Sequence, residues 1–241
     1  MRYTDLPMPR HLLLLSASAV HGTGYLEHAA SEFKDFLGKA QRVLFMPYAL
    51  KDHDAYAAKA RAGFEAMGYD LDSIHESASP KQAIERAEAL FCGGGNTFRL
   101  LDALYRHELL GLIRQRVSEG LLYSGASAGS NVACPTIRTT NDMPIVEPPS
   151  LKALGLVAFQ INPHYVDPEA GSKHMGETRE ERLLQFHEDN EVPVVGLREG
   201  ALLRVTDASV TLKGVAGARI FRKQQPPVEV APGTALESWL D

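Results

Sequence analysis

The chain reads as an α/β protein built on a mostly parallel sheet flanked by helices. Two observations predict this. From residue 11 to residue 134, short apolar runs alternate with amphipathic stretches, the pattern of strands buried on both faces and covered by helices. Several of those runs also end abruptly in glycine or other small residues, as strands do when they turn straight into a helix. Past residue 190 the spacing shortens to strands separated by turn residues, which predicts antiparallel hairpins near the C-terminus. No repeat, low-complexity tract or linker divides the chain, so residues 1–241 are read as one domain.

Taken in order, residues 11–16 form a first buried strand, followed by a loop at His21-Gly22-Thr23-Gly24 and an amphipathic stretch over 25–40. Residues 42–47 are the second strand. The Ala-rich segment 52–67 has no proline or β-branched run and is helical in pattern. A weaker strand covers 69–75, and Pro80 opens a helix over 81–87. The strand at 89–92 breaks at Gly93-Gly94-Gly95-Asn96, one or two helices cover 97–120, and the strand at 121–124 ends in Gly125-Ala126-Ser127-Ala128-Gly129. Residues 136–150 have no clear period, and a loop of that length in a compact protein is usually functional or disordered. Residues 159–162 are a strand running into Pro163-His164. Thr178, with Glu181 three residues on, starts a polar helix reaching 190. Short strands at 192–197, 201–205, 209–212 and 218–222 are read as hairpins, with Asp207-Ala208 and Gly214 in the turns.

Composition excludes several classes. A net charge of −5 with no basic run argues against nucleic-acid binding. No stretch approaches the roughly 20 apolar residues needed to span a bilayer, and the run at 12–15 is too short for a signal segment. Two cysteines, Cys92 and Cys134, cannot build a disulfide framework or a thiolate metal site; they are expected to be free buried thiols in the cytoplasm.

Gly125-Ala126-Ser127-Ala128-Gly129 matches G-x-S-x-G. Small residues on both sides let a strand turn sharply into a helix, lifting the serine hydroxyl from the sheet and aiming the next backbone N–H at a forming oxyanion. Such a serine needs a base, an orienter for that base and oxyanion donors. Of nine histidines, His164 stands where an apolar strand leaves the sheet, the usual place for a site in an open α/β fold; His174, in a Gly-containing loop, is second. The orienter is Asp142, in the long polar segment, or Glu199, at a strand end flanked by glycines. Gly93-Gly94-Gly95-Asn96 lacks a nucleotide-binding pattern and is better read as a second oxyanion donor. No carboxylates stand at a ligand spacing matching His164 and His174, so no metal or cofactor is expected.

Five segments then occur in one order: Gly93-Gly94-Gly95-Asn96-Thr97-Phe98; Ser124-Gly125-Ala126-Ser127-Ala128-Gly129-Ser130-Asn131; Cys134-Pro135-Thr136-Ile137-Arg138-Thr139-Thr140-Asn141-Asp142-Met143-Pro144-Ile145-Val146; Gln160-Ile161-Asn162-Pro163-His164-Tyr165; and Gly176-Glu177-Thr178-Arg179-Glu180-Glu181-Arg182. Together they resemble the peptidase E (α-aspartyl dipeptidase) family, from the first strand to about residue 200. The resemblance implies a glutamine-amidotransferase-like fold with serine where the amidotransferases keep cysteine. It also implies hydrolysis of small peptides with an N-terminal aspartate (Asp-Xaa), and a triad of Ser127, His164 and Asp142, with Glu199 as the alternative third member.

On that reading the oxyanion donors are the amides of Ala128 and Gly94. The aspartyl carboxylate calls for a guanidinium: Arg179 first, then Arg138, with Asn141 and Arg182 as further candidates. The free ammonium calls for Glu177 or Glu199. The protein is expected to act as a monomer or homodimer with no nucleic-acid or membrane partner. The rival readings are a cyanophycinase-like peptidase releasing β-aspartyl dipeptides, an α/β-hydrolase esterase, and a non-catalytic binding module on the same scaffold. The esterase is disfavoured because its histidine normally lies far downstream, whereas His164 is 37 residues past Ser127.

Overall fold

The computed structural model describes residues 9–168 and 176–240. Strands β1 (His11–Leu15), β2 (Arg42–Met46), β3 (Asp70–Ser73), β4 (Ala89–Cys92) and β5 (Leu122–Ala126) form the parallel part of a seven-stranded sheet. An antiparallel hairpin, β8 (Ala201–Thr206) and β9 (Ser209–Gly214), completes its edge, giving the order β3-β2-β4-β5-β1-β8-β9. A second sheet is built from β6 (Gln160–Pro163), β7 (Val194–Leu197), β10 (Ala218–Phe221) and β11 (Val228–Val230), in the order β11-β10-β7-β6.

This second sheet corrects the expected pairing. The segment at 192–197 is not a hairpin partner of 201–205. β7 instead lies parallel to β6 and antiparallel to β10, while β8 and β9 form the hairpin turned by Asp207 and Ala208, and β10 pairs antiparallel with β11 as the other hairpin. The 97–120 stretch divides into two helices, α4 (Thr97–Arg106) and α5 (Leu109–Ser118), separated at Glu108, whose backbone is left-handed at φ 55°.

The other helices are α1 (Ala30–Leu37), α2 (His53–Met67), α3 (Pro80–Arg86), α6 (Ala128–Ala133), α7 (Arg179–Asp189) and α8 (Glu237–Leu240). Their starts follow the capping chemistry of the sequence. Asp52, Ser79 and Asn96 each accept a first-turn amide hydrogen bond, and Thr178 with Glu181 completes the expected capping box on α7.

Alternate residues of the main sheet point into two cores. Leu13, Leu15, Val43, Phe45 and Phe91 pack against α1 and α2 through Phe33, Phe36, Ala57, Ala60 and Phe64. Leu12, Leu14, Met46, Leu90 and Tyr123 face the other way, and share a core with α4, α5 and α6 and with Ile161, Val195 and Ile220 of the second sheet. The outer face of that second sheet is closed by α7, through Leu183 against Tyr165, Val194 and Phe221. The carboxyl ends of β1, β4, β5, β6 and β7 carry the residues of interest.

Helix α6 lies unusually close to the sheet. A Cβ on Gly125 would stand 2.5 Å from the Gly129 carbonyl carbon, and a Cβ on Gly129 would collide with the Cys92 carbonyl. Both glycines of the G-x-S-x-G motif are therefore required by packing.

Two predictions follow from this packing. Gly129→Ala should lower stability by about 1–3 kcal/mol or more through overpacking, read as a drop in the urea midpoint. Phe91 is fully buried, with ring centroids 5.3 Å from Phe64, 5.7 Å from Phe45 and 5.8 Å from Phe33. Phe91→Ala should cost about 3–5 kcal/mol in the same titration.

Candidate active site

Ser127 is the single residue between β5 and α6. Its backbone is left-handed, at φ 51° and ψ −106°, a conformation that costs a non-glycine residue roughly 1–3 kcal/mol. Surrounding bonds hold it there. Its N–H donates to the Leu15 carbonyl at 3.0 Å, and its own carbonyl accepts from the amides of Ser130 and Asn131, both at 2.9 Å. The Ser130 hydroxyl closes the turn from beneath, 2.7 Å from the Leu15 carbonyl and 2.9 Å from that of Gly125.

His164 faces this serine. Nε2 lies 3.0 Å from Ser127 Oγ, and Nδ1 lies 2.6 Å from Glu199 Oε1. Nδ1–H donating to the carboxylate leaves Nε2 as the acceptor for the serine proton. The pairing follows from strand register. β6 and β7 are parallel with Pro163 opposite Leu197, so the chain leaves both strands side by side, with His164 one residue and Glu199 two residues past that pair. His164 also has a left-handed backbone, at φ 51°.

Asp142, the preferred carboxylate in sequence, does not stand behind the imidazole. Its Oδ2 accepts from the Thr97 amide at 2.7 Å and the Thr97 hydroxyl at 2.6 Å, with the Thr140 hydroxyl 3.2 Å away. The carboxylate is thus drawn to the N-terminus of α4, where first-turn amides and the helix dipole favour negative charge. Among the described residues Oδ1 makes no hydrogen bond or ion pair.

The glycine turn after β4 packs directly against Ser127: a Cβ on Gly94 would lie 3.3 Å from Ser127 Cβ. The Tyr56 hydroxyl lies against this turn on the Gly93–Gly94 side, and among the described residues the amides of Gly95 and Ala128 find no acceptor. Tyr56 is a residue that sequence reading missed, because a tyrosine in an Ala-rich helix reads as core. Ser16, Asn131 and Asn162 were missed as well. The Asn131 side chain donates to the Ile161 carbonyl at 2.8 Å, and that of Asn162 donates to the Thr139 carbonyl and Asn141 Oδ1, both at 2.8 Å.

The expected substrate-binding residues separate into two groups. Asn141 is spent on the protein itself: its Nδ2 donates to the Pro163 carbonyl at 2.6 Å, tying the polar loop to the strand that carries His164. Arg138 is exposed and turns to Asn190 at 3.3 Å, past the far end of α7. Glu177 pairs with Arg182 at 3.6 Å and accepts from Gln185. Arg179, the first residue of α7, has no hydrogen bond or ion pair among the described residues. Burial, and then the neighbouring Arg182, push its guanidinium below the ordinary range, while the Asp142 carboxylate pulls it back up. His174 lies outside the described residues.

An ionic network ties these loops together from outside. Arg198, next to Glu199, donates to both oxygens of Asp167 at 2.8 Å and to both of Glu229 at 2.5 and 2.9 Å. Arg219 lies 3.8 Å from Asp167 and 2.7 Å from Glu180, the residue after Arg179. Both cysteines are buried and free, and burial pushes each thiol up to about 12, too high to supply a thiolate near neutral pH. Among the described residues no group of three His, Cys, Asp or Glu side chains is arranged to hold a metal ion, and no helix is long and apolar enough to cross a membrane.

The comparisons with known proteins agree with this architecture. A peptidase from an acI-B1 actinobacterium, of known structure, superposes with a TM-score of 0.68 at 18% identity, covering 97% of this chain and 98% of that one. Peptidase E of Streptomyces coelicolor is 54% identical over 231 residues, which are 96% of this chain and 95% of that protein. A Drosophila melanogaster protein named "Probable alpha-aspartyl dipeptidase" is 50% identical over 226 residues, 92% of this chain and 94% of that one. Residues 12–213 match the family model for Peptidase family S51, and the chain belongs to that family.

Proposed function

We propose that this protein is a serine dipeptidase that hydrolyses Asp-Xaa dipeptides, with Ser127 as nucleophile, His164 as base and Glu199 as the carboxylate behind it. The observation that carries the reading is the chain of contacts from Ser127 Oγ through the imidazole to Glu199. Substrate class comes from relatives named peptidase E and alpha-aspartyl dipeptidase. In the reaction His164 takes the serine proton as Oγ attacks the peptide carbonyl, and Glu199 stabilises the imidazolium and fixes its tautomer. The oxyanion forms against the Ala128 amide and the glycine turn, where the Gly95 N–H has no acceptor among the described residues and the Tyr56 hydroxyl lies on the Gly93–Gly94 side. The imidazolium then protonates the leaving amino acid, and water attacks the aspartyl ester by the same base.

Recognition of an N-terminal aspartate requires a cation for its side chain and an anion for its ammonium. Arg179 serves the first, being partly desolvated and without a hydrogen-bond or ion-pair partner among the described residues. With Glu199 on the histidine and Glu177 on Arg182, the ammonium falls to Asp142, whose Oδ1 is open and whose field reaches Arg179. The two charges of the substrate would then meet a guanidinium and a carboxylate that already act on each other electrostatically, a pairing selective for a residue that is both α-amino and acidic.

Release of free aspartate from Asp-Leu tests the chemistry: wild type should be active and Ser127→Ala inactive, and equal activity in the two would end the serine mechanism. The carboxylates separate by labelling. Glu199→Gln should lower kcat by as much as about 10⁴-fold and slow modification of Ser127 by a fluorophosphonate. Asp142→Asn should keep that labelling and instead lose kcat/KM for Asp-Leu; the reverse pattern would exchange their roles. Arg179→Ala should cost about 2–5 kcal/mol of transition-state binding, roughly thirtyfold or more in kcat/KM, and unchanged kinetics would remove it from the site.

A further inference from the structure

We infer that Ser16 is a positioning residue for the base: its buried hydroxyl holds the His164 backbone in the left-handed conformation that aims the imidazole between Ser127 and Glu199. Ser16 follows β1 directly and has no exposed surface. Its hydroxyl accepts the His164 backbone N–H at 2.9 Å and donates its own proton to the Leu197 carbonyl at 2.7 Å. One side chain therefore bridges the residue that carries the imidazole and the end of the strand that leads to Glu199.

The left-handed φ of His164 gives this contact its significance. A non-glycine residue keeps such a backbone only where neighbours over-determine it. The neighbours here are few: Asn141 holds the Pro163 carbonyl on one side, Tyr165 donates its amide to Leu197 at 3.1 Å on the other, and Ser16 holds the His164 amide itself. The Leu197 carbonyl already accepts from Tyr165 and from Ser16, so it offers no ready substitute for the His164 amide. Removing the hydroxyl leaves that amide without its partner and frees φ to relax, which swings Cβ and with it both ring nitrogens. The Ser16 amide adds a third tie, donating to the Ala201 carbonyl two residues past Glu199 at 3.1 Å.

Ser16 touches neither substrate nor the reacting atoms. Its effect should appear in turnover rather than in binding, because Arg179 and Asp142 stand on other elements. The inference rests on the Ser127–His164 reading proposed above, and the test keeps the two apart. Ser16→Ala, Ser16→Thr, Ser16→Cys and Ser127→Ala are assayed as full chains with Asp-Leu, with thermal midpoints and the rate of Ser127 labelling by a fluorophosphonate measured on the same samples. Ser16→Ala should lower kcat roughly 10- to 100-fold with KM within about twofold, and slow labelling to match, while Ser16→Thr, which keeps the hydroxyl, recovers most of both. If Ser16→Ala does not fold, Ser16→Cys, a poorer acceptor of similar size, should show the same kcat-selective loss. The inference is overturned if the folded variant lacking the hydroxyl keeps wild-type kcat, or if its loss falls on KM. An active Ser127→Ala would instead overturn the serine mechanism on which it stands.

Discussion

The chain must pass from a buried strand into a helix within one residue, and the architecture around Ser127 follows from that demand. A left-handed serine at this point pushes α6 against β4 and β5, which leaves no room for side chains at Gly125 and Gly129. The same crowding brings the glycine turn after β4 onto the serine, and the Ala128 and Gly95 amides have no acceptors among the described residues. Strain at one residue, held by the Leu15 carbonyl and the Ser130 hydroxyl, thus yields a half-buried serine whose hydroxyl faces His164, beside amides with no acceptor among the described residues.

Charge is divided around this centre with little redundancy. Glu199 faces the imidazole, Asp142 is drawn to the helix terminus at Thr97, and Glu177 is taken by Arg182. The cations divide in the same manner: Arg198 and Arg219 are committed to Asp167, Glu229 and Glu180, which leaves Arg179 as the guanidinium at this end of α7 without a described partner. The committed charges hold the loops together. His164 and Glu199 keep considerable solvent exposure, so their geometry matters more than any gain in stability from the pair itself.

The parts of this arrangement legible in sequence were those encoded locally. Alternating apolar runs gave the parallel sheet, the small residues at 125–129 marked the turn, Thr178 with Glu181 marked the start of α7, and Asp207-Ala208 marked the β8–β9 hairpin. His164 was found because it ends an apolar strand. The choice between Asp142 and Glu199 was not encoded locally: it depends on β6 pairing parallel with β7, and the segment at 192–197 reads equally well as a hairpin strand. Hydropathy fixes which residues are buried but not which strand lies alongside which. Ser16, Tyr56 and the Asn141–Asn162 pair escaped for the same reason, since each acts through a contact far along the chain. Asn141 and Arg138 had the right chemistry for a ligand, and are turned toward Pro163 and Asn190 instead.

The end of β1 brings together parts of the chain that are translated far apart. Leu15 meets Ser130 across 115 residues, and Ser16 meets His164 across 148 and Leu197 across 181. Contacts of such separation form late, after the entropy of closing long loops has been overcome. A chain interrupted before β7, or one folded only through its parallel half, has the turn at Ser127 but neither Glu199 nor the strand end to which Ser16 ties His164. Peptidase activity should accordingly emerge as one of the last properties of the maturing molecule, which spares the cell a partly formed enzyme with a loose and unselective serine.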